Sequence, residues 1–187
     1  MEALFTSTAV VALAEIGDKT QLLAILLATR FNKPLPIMVG ILVATLANHA
    51  LAALLGASAA AFLDSPVFRY AIGASFIAMA AWTLIPDKLE DDETPKPRFG
   101  AFLTTLIAFF LVEMGDKTQV ATIALGAQYQ SVALVTAGTT IGMMIANVPA
   151  IFLGHELLKR VNLDTVRRIA AGLFLVIGLW VLVKAAS

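Results

Sequence analysis

Glu15-Ile16-Gly17-Asp18-Lys19-Thr20-Gln21 and Glu113-Met114-Gly115-Asp116-Lys117-Thr118-Gln119 differ at one position only. Each string lies in the middle of a long apolar run. A charged side chain at bilayer depth costs about 2.5–3.5 kcal/mol or more. A chain that places three charges there, twice, is using them.

The composition sets the solvent. Of the 187 residues, 59% are hydrophobic and 14% charged, against about 25% charged in soluble domains. The chain therefore reads as a membrane protein. A formal net charge of zero argues against nucleic-acid binding. The absence of Cys excludes disulfides, thiolate metal sites and iron–sulfur ligation. The N-terminus does not read as a signal peptide: Glu2 stands where a positive residue belongs, and Glu15, Asp18 and Lys19 interrupt the apolar stretch. The first helix is expected to remain.

A spanning helix needs roughly 20 mostly apolar residues. Six stretches qualify: residues 3–29, 36–62, 67–85, 100–127, 131–154 and 165–184. Turn chemistry or charge separates them: Arg30 to Pro34 with Pro36 beyond, Asp64-Ser65-Pro66, the polar segment Pro86 to Arg98, Gln128 to Ser131, and His155 to Asp164. The halves repeat in order. Beyond the two strings, Ala47-Asn48 matches Ala146-Asn147, Arg69 and Gly73 match Arg168 and Gly172, and Trp82 matches Trp180, in one register within a residue. Three spans per half is an odd number, so the second copy enters from the opposite side. The expected fold is an all-α membrane protein of six transmembrane helices, a 3+3 inverted-topology repeat of the kind many secondary transporters use. Its parts are a first repeat over 1–85, a cytoplasmic linker over 86–98 and a second repeat over 99–187.

Orientation follows from Lys and Arg in short loops. Arg30, Lys33, Lys88, Lys96, Arg98, Lys159, Arg160, Arg167 and Arg168 fall on one side, and Arg69 and Lys184 on the other. The richer side is expected in the cytoplasm, with both termini outside.

At about 1.5 Å rise per residue, Glu15 lies roughly 18 Å into its span and Asp18 roughly 17 Å from its far end. Glu113 and Asp116 sit at similar depth. Residues at mid-depth on antiparallel, two-fold-related helices can meet, so one shared site with four carboxylates is expected. Glu15 and Asp18 share a helix face at i, i+3, Gln21 extends it, and Lys19 can pair with Glu15 at i+4. Gly17 and Gly115 permit a local break that frees carbonyl oxygens. Four carboxylates against two lysines leave two net negative charges, which a divalent cation would neutralise. The candidate ligands are Glu15, Asp18, Glu113 and Asp116. Lys19, Thr20, Gln21, Asn48, Lys117, Thr118, Gln119 and Asn147 are supporting candidates. All-oxygen donors suit Mg, Ca and Mn.

Other residues have plainer readings. Asn48 and Asn147 commonly make interhelical hydrogen bonds. His49 has no counterpart in the aligned repeat, where position 148 is Val, and could serve a local hydrogen bond or a proton relay. His155 lies at a helix end. Met114, Met143 and Met144 read as packing, Gly138 and Gly142 as points of close helix approach, Pro149 as a kink, and the acidic run Asp87 to Glu93 as a solvated loop.

The doubled E-x-G-D-K-[TS] string in a six-span chain of this size resembles the signature of the Golgi calcium/manganese transporters and bacterial manganese exporters (the MneA type). The resemblance covers nearly the whole chain. It implies cation export or antiport, Mn2+ or Ca2+ as substrate, no cofactor, and Glu15, Asp18, Glu113 and Asp116 as the transport site. With its short central loop it implies a bacterial member in the plasma membrane. The resulting expectation is a secondary transporter, not an enzyme, that exports Mn2+ by alternating access, with protons standing in for the metal on the return step. No GxxxxGK[ST] motif is present. The rivals are a Ca2+/H+ antiporter, a channel with acidic rings, which the adjacent lysines disfavour, and an intramembrane enzyme built on an acidic dyad.

Overall fold

The computed structural model describes residues 1–62, 65–86, 99–154 and 162–186. Asp64, most of the 86–98 linker with its acidic run, Lys88, Lys96 and Arg98, and His155, Lys159 and Arg160 lie outside the described residues. Among the described residues all regular structure is helical. The elements are α1 (Glu2–Glu15), α2 (Lys19–Phe31), α3 (Pro34–Phe62), α4 (Pro66–Thr83), α5 (Ala101–Glu113), α6 (Lys117–Tyr129), α7 (Val132–Leu153) and α8 (Leu163–Ala186).

The stretches 3–29 and 100–127 are not single helices. Each breaks inside its charged string. Gly17 and Gly115 take φ of +82° and +80°, which a right-handed helix cannot include. The residues around them follow the same path: Ile16 at φ −67°, ψ 113° and Met114 at −66°, 118°, then Asp18 at −81°, 167° and Asp116 at −78°, 166°. Helix resumes at Lys19 and Lys117 with the aspartates as N-caps. The downstream helices also end alike, at Asn32 and Gln130 in the left-handed region, whose N–H groups each return to the carbonyl four residues back at 2.9 Å. Near-identical strings therefore adopt near-identical backbones.

The break corrects two expectations. Glu15 ends one helix and Asp18 caps the next, so they do not share a helix face. Lys19 does not hold the i+4 position beside Glu15; its Nζ stands 3.7 Å from Asp116 Oδ1 in the other string.

Among the described residues, three helices are long and apolar enough to cross a membrane: α3, α7 and α8. Of the half-length helices, α1, α5 and α6 pack on them through glycine. A Cβ on Gly138 would lie 2.5 Å from the Leu4 carbonyl oxygen, and one on Gly142 2.7 Å from that of Thr8. These two glycines thus seat α1 on α7, as the sequence expected. Gly40 likewise meets the Phe102 carbonyl of α5 at 2.9 Å, and Gly126 of α6 the Ala53 carbonyl of α3 at 2.5 Å. Helices α4 and α8 pack on each other where Gly73 and Gly178 cross, beside the tilted ring pair Phe76–Phe174. Apolar side chains such as Leu54, Leu55, Leu111, Val176 and Val183 face outward, while Thr, Asn, Gln, Glu and Asp fill much of the interior.

The glycine contacts also revise the alignment of the halves. Gly40 on Phe102 and Gly138 on Leu4 stand at the interval that separates the two strings. At that interval the spatial counterpart of Asn48 is Ala146, and that of His49 is Asn147. The sequence match of the two Asn residues is one position out.

A Cβ on Gly56 would lie 1.9 Å from the backbone oxygen of Ile123, whereas one on Gly172 meets nothing within 4 Å. Gly56→Ala should therefore cost about 1–3 kcal/mol through overpacking. Thermal unfolding in detergent should show a midpoint several degrees lower for that variant, with Gly172→Ala close to wild type.

Candidate cation site

The two breaks bring four helix ends together. Glu15 is the last residue of α1 and Glu113 the last of α5; Asp116 stands at the N-cap position of α6. These three carboxyl groups come from both strings and are each at least 96% buried. Each offers one oxygen, and the three oxygens lie within 4.8 Å of one another. At an effective dielectric constant near 20, two ionised carboxylates at that separation repel by about 3–4 kcal/mol. The N-terminal dipoles of α2 and α6, which begin at the caps, offset part of this.

Threonine holds each glutamate across its break. Thr20 Oγ1 donates to Glu15 Oε2, and Thr118 Oγ1 donates to Glu113 Oε1. The other oxygen of each, Glu15 Oε1 and Glu113 Oε2, is buried and has no hydrogen-bond partner. Asp18 is not part of the three-carboxylate set; its Oδ1 accepts from the backbone N–H of Lys19. Of the four expected acids, then, three converge and the fourth caps a helix beside them.

Glutamine holds the breaks themselves. Gln21 Oε1 accepts from Gly17 N at 2.9 Å, and Gln119 Oε1 from Gly115 N at 2.7 Å. Each amide then ties its string to a long helix. Gln119 Nε2 donates to Asn48 Oδ1 at 2.6 Å, and Asn48 Nδ2 to the Phe110 carbonyl at 3.3 Å. Gln21 Nε2 donates to the backbone carbonyl of Ala146 at 2.8 Å. The register explains the difference: residue 146 stands where residue 48 stands but is alanine, so its main chain accepts instead. Asn147 turns its Nδ2 to Met143, reaching the carbonyl at 3.1 Å and Sδ at 2.9 Å.

Lysine also behaves differently in the two strings. Lys19 approaches Asp116, while Lys117 donates to the Ile85 carbonyl at 3.4 Å. His49 is fully buried with Nε2 3.3 Å from Glu113 Oε1. The sequence flagged His49 only through its neighbour Asn48, and nothing in it pointed to the Ala146 carbonyl.

With the geometry in place, comparison with known proteins decides the class. The family model "Divalent cation/proton antiporter GDT1" matches residues 3–91 and 101–187. The chain belongs to the GDT1 family. A Vibrio cholerae relative, named "Putative manganese exporter", is 50% identical over 180 residues, covering 96% of this chain and 90% of its own. The GDT1-like protein sll0615 of Synechocystis is 30% identical over 185 residues, 88% of either chain. GDT1-like protein 3 of Arabidopsis thaliana is 28% identical over 201 residues, 93% of this chain and 68% of its own. No solved structure matches. The resemblance read from the two strings holds. As a GDT1 member with apolar helices of spanning length, the chain is a membrane transporter of divalent cations, not an enzyme, and the reading as an acidic-dyad enzyme falls.

Replacing either glutamine with an apolar residue would leave a glycine N–H and a helix acceptor unpaired. Gln21→Leu and Gln119→Leu should each lose about 1–3 kcal/mol. A thermal-shift measurement in detergent, without added metal, checks this.

Proposed function

We propose that the chain exports Mn2+ from the cytoplasm in exchange for protons, and that the ion binds among Glu15, Glu113 and Asp116. The observation that carries this reading is the convergence of those three buried carboxylates from two separate strings. Three acids this close are poorly stable as anions without a counter-charge. A divalent cation supplies one, and protons supply it when the cation leaves. The oxygen-only set favours Mn2+, Ca2+ or Mg2+ over Zn2+ and Cu2+. The name of the Vibrio cholerae relative favours Mn2+ among these, with Ca2+/H+ exchange as the second reading.

In this proposal α1 with α2, and α5 with α6, each form one broken span. With α3, α4, α7 and α8 they make six spans in two inverted halves, 1–85 and 99–187, joined by 86–98. Discontinuous spans that meet at mid-membrane are the usual ion-site architecture of such transporters. The Lys and Arg bias puts both termini outside the cytoplasm and the linker inside. The membrane is a bacterial plasma membrane. Asp18 adds negative charge and caps α2, while Lys19 limits the charge at Asp116. Thr20, Thr118, Gln21, Gln119 and Asn48 hold the carboxylates and the breaks in place.

Proteoliposomes loaded with Mn2+ and given a proton gradient test the reading. Glu15→Gln, Glu113→Gln and Asp116→Asn should each reduce the initial Mn2+ flux about 100-fold or more, at equal protein incorporation. Asp18→Asn should do less harm. Collapsing the gradient should abolish uphill Mn2+ movement in the wild type. Undiminished flux in Glu113→Gln and Asp116→Asn would refute the site. Ca2+ moved faster than Mn2+ would shift the substrate to the second reading.

A further inference from the structure

We propose that His49 is a positioning residue for Glu113, holding that carboxylate so that a fixed oxygen faces the transported ion. The inference rests on the reading of Glu113 as a ligand. Three observations carry it.

The first is geometry. His49 Nε2 and Thr118 Oγ1 both meet the same oxygen, Glu113 Oε1. With an ion bound, Glu113 is a carboxylate and accepts, so in that state the facing imidazole nitrogen is the protonated one. Two donors from different helices, α3 and α6, then clamp one oxygen and leave Oε2 with no hydrogen-bond partner. A carboxylate pinned at one oxygen cannot rotate about its terminal torsion, so its free oxygen has a defined place.

The second is location. His49 is fully buried beside the three-carboxylate set yet is not a member of it. It therefore acts through Glu113. Partners of this kind orient metal-ligating carboxylates, and their loss typically costs about 10–100-fold in metal affinity.

The third is asymmetry. The spatial counterpart of His49 is Asn147, whose amide turns to Met143 rather than to Glu15. Glu15 takes its hydrogen bond from Thr20. Of the two glutamates, Glu113 thus has an imidazole beside it as well as a threonine, whereas Glu15 has the threonine hydroxyls of Thr20 and Thr118. The imidazole makes Glu113 the fixed wall of the site.

Flux kinetics in proteoliposomes test this through the split between KM and maximal rate. His49→Leu keeps the buried volume and removes the donor. It should raise the KM for Mn2+ about 10-fold or more, with the maximal rate within about 3-fold of wild type. His49→Gln places an amide N–H near the former Nε2 and should return KM to within about 3-fold of wild type. His49→Asn carries the same amide one methylene short and should fail to rescue. If the leucine variant does not accumulate in the membrane, the Gln/Asn pair carries the test alone. An unchanged KM in His49→Leu, or equal KM values for Gln and Asn, would overturn the proposal. Glu113→Gln, run in parallel, keeps the two readings apart. Lost flux in Glu113→Gln with normal His49 variants defeats the positioning role only. Normal flux in Glu113→Gln defeats the ion site itself.

Discussion

Three buried carboxyl groups, with oxygens within 4.8 Å of one another, are the constraint that the rest of the molecule serves. Their mutual repulsion and their lost hydration both oppose folding. The chain answers with donors rather than with burial of more apolar area. Thr20 and Thr118 give hydroxyls, His49 faces Glu113, Lys19 approaches Asp116, and two helices begin at the aspartate caps. What remains uncompensated is a matched pair of oxygens, Glu15 Oε1 and Glu113 Oε2. In the proposed function, that unmet demand is met by the transported cation.

The helix breaks and the glycine contacts act together. A continuous helix would leave no backbone free at the site and would put Glu15 and Asp18 side by side on one face. The positive φ at Gly17 and Gly115 instead ends one helix and starts another within three residues. The half-helices would be marginal alone, and close backbone approach at Gly138, Gly142, Gly40 and Gly126 seats them on α7 and α3. The two glutamines then lock each glycine N–H to a long helix. Site and scaffold therefore share the same few residues, so the strings tolerate little change for structural as well as chemical reasons.

Much of this was legible in the sequence. The doubled string marked the acids, their burial and their meeting, and the glycines marked the breaks. Gly138 and Gly142 read correctly as a close-approach face. Helix periodicity misled where the break removes it: the i, i+3 relation of Glu15 to Asp18 and the i+4 pairing of Lys19 with Glu15 presuppose a helix that stops at residue 15. The Asn48–Asn147 match misled for a different reason. Residue identity favoured a register one position away from the one that packing enforces, and the glycine contacts and the two glutamine hydrogen bonds show it. The role of His49 depends on a contact between residues 64 positions apart, which no local pattern encodes.

The most direct test is to see where the ion sits. Crystals of the protein loaded with Mn2+ should show one manganese peak, identified by its anomalous X-ray scattering, coordinated by Glu15, Glu113 and Asp116 together. A manganese ion bound away from these carboxylates, or bound by one string without the other, would contradict the account.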